Sequence, residues 1–370
     1  MSNGEIQRLE ALMTPDNKGL YWDPSVEKRI STHSMLKTFR SCPLCSYFKY
    51  VLRLKPKMLA KPLKRGTWVH ELLEAHGNGE DWKPIHARHS AKFNELFDEE
   101  KDYYGDMPSE IEAIMRSYMW HYKNDPWEYV ANEFTLEAEF PDGTLYRGKV
   151  DSLIENEHGL WLVDNKTHRT LPDLSFRMRD SQSALYLWAA RENGLPVRGF
   201  IWNYIRWKAP SVPKLLTKND RISDAACDTD YPTFVRALKE YKRDYPETFK
   251  VRPKDRDRAL YLKGQQYVHG APQVSEFFRR DILEKSDEML DRVMHMNYIT
   301  SLRMQNYDFS HIDYIEVADP RYQGFFESYE DLHTAHIMGV NLKPLIKQNY
   351  TIGDPNDYYQ DRAGDFEKGK

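Results

Sequence analysis

The chain has few cysteines and no long apolar run, and each shortage closes off a class of protein. Three cysteines, Cys42, Cys45 and Cys227, are too few and too odd in number for a disulfide framework. They point to a reducing compartment, so the expected location is the cytoplasm. No apolar stretch approaches the roughly 20 residues of a membrane helix, so no membrane is expected as a partner. The opening residues, MSNGEIQRLE, lack the apolar centre of a signal peptide. No G-x-x-x-x-G-K-[ST] loop is present, so any unwinding would need a partner. Acidic residues are missing from Ser31 to Gly66, where nine Lys/Arg fall. Such a block can neutralise phosphates even in a chain of net charge −4. It equally fits a solvated helical face.

What is present is enough for a sizeable core. The 370 residues are 40% hydrophobic and include 24 Tyr, 16 Phe and 9 Trp, which excludes a disordered composition. Residues 1–30 are polar and weakly periodic and read as an arm. Ser34 is a candidate cap for a helix over Met35–Ser41, and Pro43 opens a second through about Leu54. Residues 55–65 read as a basic loop. Helical periodicity is expected from Gly66 to about Ala75, over 85–103 and over 109–124. After Pro126 the pattern predicts strands over 127–140, 145–155 and 160–166, parted by the turn signals Asp142-Gly143 and Asn156-Glu157-His158-Gly159. A helix over Met178–Glu192 ends at Asn193-Gly194, and 198–207 reads as a further strand. Helices are expected near 231–244 and 273–295, then an aromatic but irregular tail with a disordered end. No internal repeat is visible. This order predicts an α/β fold with a mixed central sheet flanked by helices.

Two short sequences carry the chemistry, Gly148-Lys149-Val150-Asp151 and Val163-Asp164-Asn165-Lys166. If Glu157-His158 is a two-residue turn, Leu153 faces Leu162 and Asp151 faces Asp164. Opposed residues hold their Cβ atoms roughly 4.5–5.5 Å apart on one face. Strand alternation places Lys166 on the face of Asp164. Two carboxylates so close repel, and a hard divalent cation relieves the repulsion; oxygen ligands suit Mg²⁺ or Mn²⁺. Such an ion lowers the pKa of a bound water and stabilises charge on a phosphodiester oxygen, while Lys166 can orient that water. The bland alternative is an ion-pair network on a solvated face, and a one-residue slip would separate the two Asp. His70 sits on the third expected helix, where an imidazole is either a metal ligand or structural. Gln182 and Tyr186 share a helix face and could hold a phosphate or brace Lys166. Arg206, in the basic and aromatic Asn203–Lys208 segment, suits backbone contact or a plain edge strand. Glu133 begins the strand before the hairpin, and its role is open.

Taken in order, Gly66-Thr67-Trp68-Val69-His70, Gly148…Asp151, Asp164-Asn165-Lys166 and Gln182…Tyr186 form G-x-x-x-H, G-x-x-D, D-x-K and Q-x-x-x-Y. This resembles the RecB-like branch of the PD-(D/E)XK nuclease superfamily, which includes CRISPR-associated and phage exonucleases. Ser34-Met35-Leu36-Lys37-Thr38-Phe39-Arg40-Ser41-Cys42-Pro43 resembles that branch's first helix. Lys208-Ala209-Pro210 and Leu215-Leu216-Thr217-Lys218 are similar to segments of its phage members. The resemblance spans about residues 31–230. It implies a restriction-endonuclease-like core and a Mg²⁺- or Mn²⁺-dependent DNA exonuclease of recombination, repair or phage DNA metabolism. It makes His70, Asp151 and Asp164 metal ligands, with the Asn165 carbonyl as a backbone ligand, and Lys166 the catalytic lysine. Gln182 and Tyr186 would support the site and contact DNA; Lys37, Arg40 and Arg206 are further candidate DNA contacts. The implied organisation is an arm over 1–30, a nuclease domain over 31–300 and a C-terminal extension over 301–370. Partners would be DNA ends or single strands, with a helicase or recombination protein, in a bacterial or phage-infected cytoplasm. Several relatives hold an iron–sulfur cluster through one N-terminal and three C-terminal cysteines. Cys42 matches the first, but no cysteine follows Cys227, so no cluster is expected. A structure-specific endonuclease or nickase with the same centre, and a non-catalytic DNA-binding module, are the alternatives.

Overall fold

Strands rich in buried apolar residues form a seven-stranded mixed sheet, and helices cover both of its faces. The computed structural model describes residues 22–354 apart from 24, 217, 219, 224–226, 265–275 and 318–327. Strands β1 (Trp22–Asp23) and β2 (Lys28–Ser31) precede helix α1 (His33–Ser41) and α2 (Pro43–Ser46), which runs on into a π-helical turn over Tyr47–Val51. Then come β3 (Leu54–Pro56), α3 (Lys61–Gly77), α4 (Trp82–Asn94), α5 (Asp98–Tyr104) and α6 (Met107–His121). The centre is β4 (Glu128–Glu139), β5 (Leu145–Asn156), β6 (Gly159–His168), α7 (Leu174–Met178), α8 (Ser181–Glu192) and β7 (Val197–Arg206). After α9 (Tyr231–Asp244) and α10 (Pro253–Leu262) follow β8 (Phe278–Leu283) and α11 (Asp287–Gln305). A 3₁₀ turn (Ile312–Tyr314), α12 (Glu330–Ile337), α13 (Lys343–Asn349) and β9 (Tyr350–Ile352) complete the described chain.

The sheet runs β1-β2-β5-β6-β7-β8, with β4 on the other side of β5. β7 lies parallel to β6 and is buried from Gly199 to Ile205. That near-continuous burial is what a parallel strand covered on both faces requires. Phe200, Trp202 and Tyr204 join the cluster under α8, α11 and α1, while Ile205 joins the one built by α3, α4 and α6.

One edge of β5 is divided between two partners. β2 pairs with Leu145 and Tyr146, and β6 pairs with Ser152 to Asn156. Residues 147–151 have no strand on that side among the described residues. Gly148 and Asp151 lie in this gap.

Several sequence expectations need correction. The end of the supposed arm is the β1–β2 pair at the sheet edge. Thr32, not Ser34, caps α1, its Oγ1 accepting from the Met35 N–H at 3.2 Å. The basic loop is β3 followed by the first turn of α3, which starts at Lys61 because Pro62 suits a first-turn position. Within 273–295 the expected helix is β8 and then α11. β8 pairs antiparallel with β7, and Ser286 caps α11. The tail is not irregular where it is described: α12, α13 and β9 are ordered, and β9 pairs antiparallel with β3. The expected disordered end, 355–370, lies outside the described residues.

Candidate active site

The site is assembled around the gap in β5. α8 starts at the cap Asp180, whose Oδ1 accepts from the Gln182 N–H at 2.8 Å. One turn later Tyr186 lies over Gly148, where a Cβ would come within 2.5 Å of the tyrosine ring. Glycine is therefore required for this approach. The Tyr186 hydroxyl donates to the Lys149 carbonyl at 2.8 Å and so ties α8 to β5 within the gap. Asp151 fills the other end of the gap. Its Oδ2 accepts from the Asn165 N–H at 2.6 Å, just where the β5–β6 ladder stops at Ser152–Val163.

The other groups converge from three elements. His70 on α3 places Nδ1 3.3 Å from Asp151 Oδ2. Lys166 Nζ lies 2.5 Å from Asp164 Oδ2, and Asp164 Oδ1 accepts from Gln182 Nε2 at 2.8 Å. The Lys166 ammonium also lies 5.5 Å from the centre of the Trp202 ring. Glu133 on β4 pairs with Lys149 at 3.1 Å, both buried. Glu133 has φ 51°, a left-handed conformation that a non-glycine residue adopts at a cost. Behind the sheet, Asn203 Nδ2 donates to Asn165 Oδ1 at 2.7 Å and to the Tyr118 hydroxyl at 2.8 Å.

Electrostatics follow from burial among these charges. Burial works to raise the Asp151 carboxyl, yet His70, Lys166 and the Asn165 N–H together hold it below its ordinary value. Burial, with Asp151 beside it, pushes Asp164 up to about 6 against the pull of Lys166. His70 is desolvated, but the Asp151 charge and hydrogen bond raise it to about 9.

His70, Glu133 and Asp151 each offer a ligand atom, and the three atoms lie within 4.8 Å of one another. Around an ion with bonds of about 2.1 Å, ligand atoms lie about 3 Å apart when adjacent and about 4.2 Å apart when opposite, so binding would draw the three inward. Two carboxylates and an imidazole fit a hard divalent cation. The adjoining cavity, about 490 Å³, is lined by His70, Glu133, Lys149 and Lys166 and extends to Leu63 and Trp207.

The sequence profile of the PD-(D/E)XK nuclease superfamily matches residues 31–292. The chain belongs to this superfamily. A search of curated proteins finds no match for the nuclease. Among solved structures it is similar to a protein described as a putative exonuclease from Eubacterium rectale, with 14% identity, 83% of this chain and 86% of that chain covered, and a TM-score of 0.39. It is also similar to a protein named SSO0001, with 19% identity, 45% of this chain and 72% of that chain covered, and a TM-score of 0.17. Both likenesses are too loose to carry an argument about activity.

The nuclease brings together six of the residues singled out in sequence: His70, Asp151, Asp164, Lys166, Gln182 and Tyr186. Asn165 joins through its backbone N–H on Asp151. Of the three further candidate DNA contacts, two are bound elsewhere in the fold. The Arg40 guanidinium is bound to Asn297 and Thr300 of α11, and Arg206 is paired with Asp228. Lys37 lies within electrostatic range of Lys166, Arg177 and Asp180. Sequence reasoning left Glu133 without a role and passed over Lys149. The signal was the turn at Asp142-Gly143: the β4–β5 register that follows, with Asn132 on Ser152 and Phe134 on Val150, sets Glu133 opposite Asp151.

Proposed function

We propose that this nuclease is a Mg²⁺- or Mn²⁺-dependent DNA exonuclease. The observation that carries the reading is the meeting of Asp151, Asp164 and Lys166 with His70 and Glu133, beside a cavity that His70, Glu133 and Lys166 line. His70, Glu133, Asp151, Asp164 and the Asn165 carbonyl are the groups that would hold the cation. When bound, it supplies charge neutralisation at the phosphate and a more acidic water.

The chain's own residues do the rest. Lys166 offers an ammonium to a phosphate oxygen or to the attacking water, and it stays protonated because the buried Asp164 and Asp151 charges outweigh its own desolvation. Gln182 holds Asp164 by one oxygen and so fixes the direction of the other. Tyr186 holds the β5 gap open by bonding the Lys149 carbonyl, which keeps Asp151 in place two residues later. The expected setting is recombination, repair or phage DNA metabolism in the cytoplasm, with a helicase or recombination protein as partner. Among the described residues, no helix is long and apolar enough to cross a membrane.

The test is cleavage of end-labelled linear DNA, closed circular single strands and matched RNA, with Mg²⁺ or Mn²⁺. Mononucleotide release from linear DNA alone is the expected result. Cutting of the circle would replace exonuclease by endonuclease or nickase. Tight binding with no metal-stimulated cleavage would reduce the chain to a binding module.

A further inference from the structure

The cavity changes character along its length. At one end stand His70, Glu133, Lys149 and Lys166. At the other stand Pro62, Leu63 and Trp207. Leu63 and His70 lie seven residues apart on α3, two helical turns, or about 10 Å. They share one stripe of that helix with Thr67 and Glu74, which also line the cavity. The buried stripe of α3 is a different one, with Trp68, Val69, Leu72 and Leu73.

Leu63 is 52% exposed, and Met58 and Leu59, just ahead of it in the chain, are 48% and 42% exposed. This apolar lip is held in place from beneath. The Tyr104 hydroxyl donates to the Leu59 carbonyl at 2.7 Å, and the Tyr103 hydroxyl accepts from the Lys61 N–H at 3.3 Å. The lip also lies in the block from Ser31 to Gly66 that holds nine Lys/Arg and no acid, although the Lys57 ammonium donates to the Lys347 and Gln348 carbonyls and Lys64 lies over the Tyr104 ring. Pro62, Leu63 and Trp207 give the cavity an apolar end, and Lys149 and Lys166, beside Glu71, Glu74 and Glu133, give it a charged one at the phosphodiester-cleaving centre; the combination matches a single occupant. A nucleotide is charged at its phosphate and apolar on the face of its base. Positive grooves interleaved with flat apolar contacts are how unpaired strands are held without regard to sequence.

We infer that Leu63, with Trp207, forms a nucleobase subsite that takes one unpaired base of the strand whose phosphate lies at Asp151 and Lys166. A paired base has both faces stacked and its edge bonded, so it cannot lie against this lip. The strand entering the cavity is therefore single, whether supplied as such or frayed from a duplex end. This inference rests on the nuclease reading above for the position of the phosphate, but binding tests it separately.

The experiment uses the full chain and single-stranded oligonucleotides in which one nucleotide at a time is replaced by an abasic residue. Cleavage with Mn²⁺ gives kcat and KM for the unaltered protein, for Leu63→Ser and for Leu63→Phe. Binding of the same oligonucleotides to Lys166→Ala is followed by fluorescence anisotropy. The subsite requires that an abasic residue at one position raise KM and Kd about tenfold. Leu63→Ser should cause the same loss on intact DNA, add nothing on that abasic substrate, and be rescued by Leu63→Phe. Leu63 is exposed, so these variants fold. Equal effects of Leu63→Ser on intact and abasic strands, or no position sensitive to base removal, would overturn the subsite while leaving the nuclease intact. Position-dependent binding with no cleavage by the unaltered protein would instead sink the exonuclease reading and keep the subsite.

Discussion

Two regions tie distant parts of this chain together, and they do so with opposite chemistry. Around Cys42 the bond is aromatic. Tyr329 stacks on Tyr350 at 5.8 Å and on Phe48 at 6.2 Å, Phe309 stacks on Tyr47 at 6.0 Å, and Tyr307 meets Phe39 edge-on at 5.3 Å. Cys42 and Cys45 are buried in the same cluster. The Tyr329 hydroxyl closes the clasp on the Leu54 carbonyl at 2.7 Å. Around Asp151 the bond is ionic and directional: two carboxylates, a third from Glu133, two lysines and an imidazole in a gap of the sheet. Burial of rings is non-directional and stabilises in proportion to area. Buried charges gain little net stability but fix atoms in place. Damage to the clasp should therefore cost stability and spare the chemistry, and damage to the site should do the reverse.

The sharpest test of that contrast is Lys166→Ala. Loss of the ammonium should lower kcat by about a hundredfold to a thousandfold, while the thermal midpoint moves little. Asp164 is already raised to about 6, so it takes up a proton once its partner is gone. Active Lys166→Ala protein would remove the assignment. The converse is Tyr350→Ala, which should cost about 3–5 kcal/mol by urea titration, as for other large aromatic deletions. Mn²⁺ affinity of the folded fraction should stay the same; a parallel loss of metal binding would mean that the two regions are coupled.

Glu133→Gln comes next. It keeps the shape of the side chain and removes one anionic ligand, so divalent affinity should fall at least about tenfold by calorimetry. An unchanged affinity would return Glu133 to a plain partner of Lys149. The last test is of pH and needs no substitution. His70 is raised from 6.5 to about 9 by Asp151, so in the metal-free protein the pair's contribution to stability is complete below 6.5 and lost as pH rises through about 9. A cation needs the imidazole neutral, so metal affinity should climb by about tenfold per pH unit over that window, with one proton released. Flat affinity from pH 7 to 9 would exclude His70 as a ligand.

The same contrast explains what could be read in the sequence. The Glu157-His158 turn fixed the β5–β6 register, and Leu153 does pair with Leu162. The register carried Asp164 and Lys166 with it, because strand alternation is local and rigid; the ladder stops one pair short of the expected Asp151–Asp164 facing, and Asp151 instead takes the Asn165 N–H in the gap. Gly148 was visible as a motif letter, but its reason, the ring of Tyr186, lies on a helix some forty residues away. The left-handed backbone of Glu133 left no mark, since propensity offers no sign of a strained glutamate inside a strand. β9 was illegible for another reason. Three residues carry too little pattern, and their partner, β3, lies almost three hundred positions earlier.

That last pairing also orders events in time. Loop closure and non-local pairing slow folding, and chains emerge N-terminus first. α1, α2 and the π-helical turn are made early, yet their apolar faces wait for Phe309, Tyr329 and Tyr350, which leave the ribosome much later. The β5–β6 hairpin, by contrast, can form as soon as residue 168 is free. Stalled chains ending before residue 329 should therefore protect β5 and β6 amides from hydrogen exchange while α1 and α2 remain open, a difference that pulse labelling on arrested ribosomes would detect.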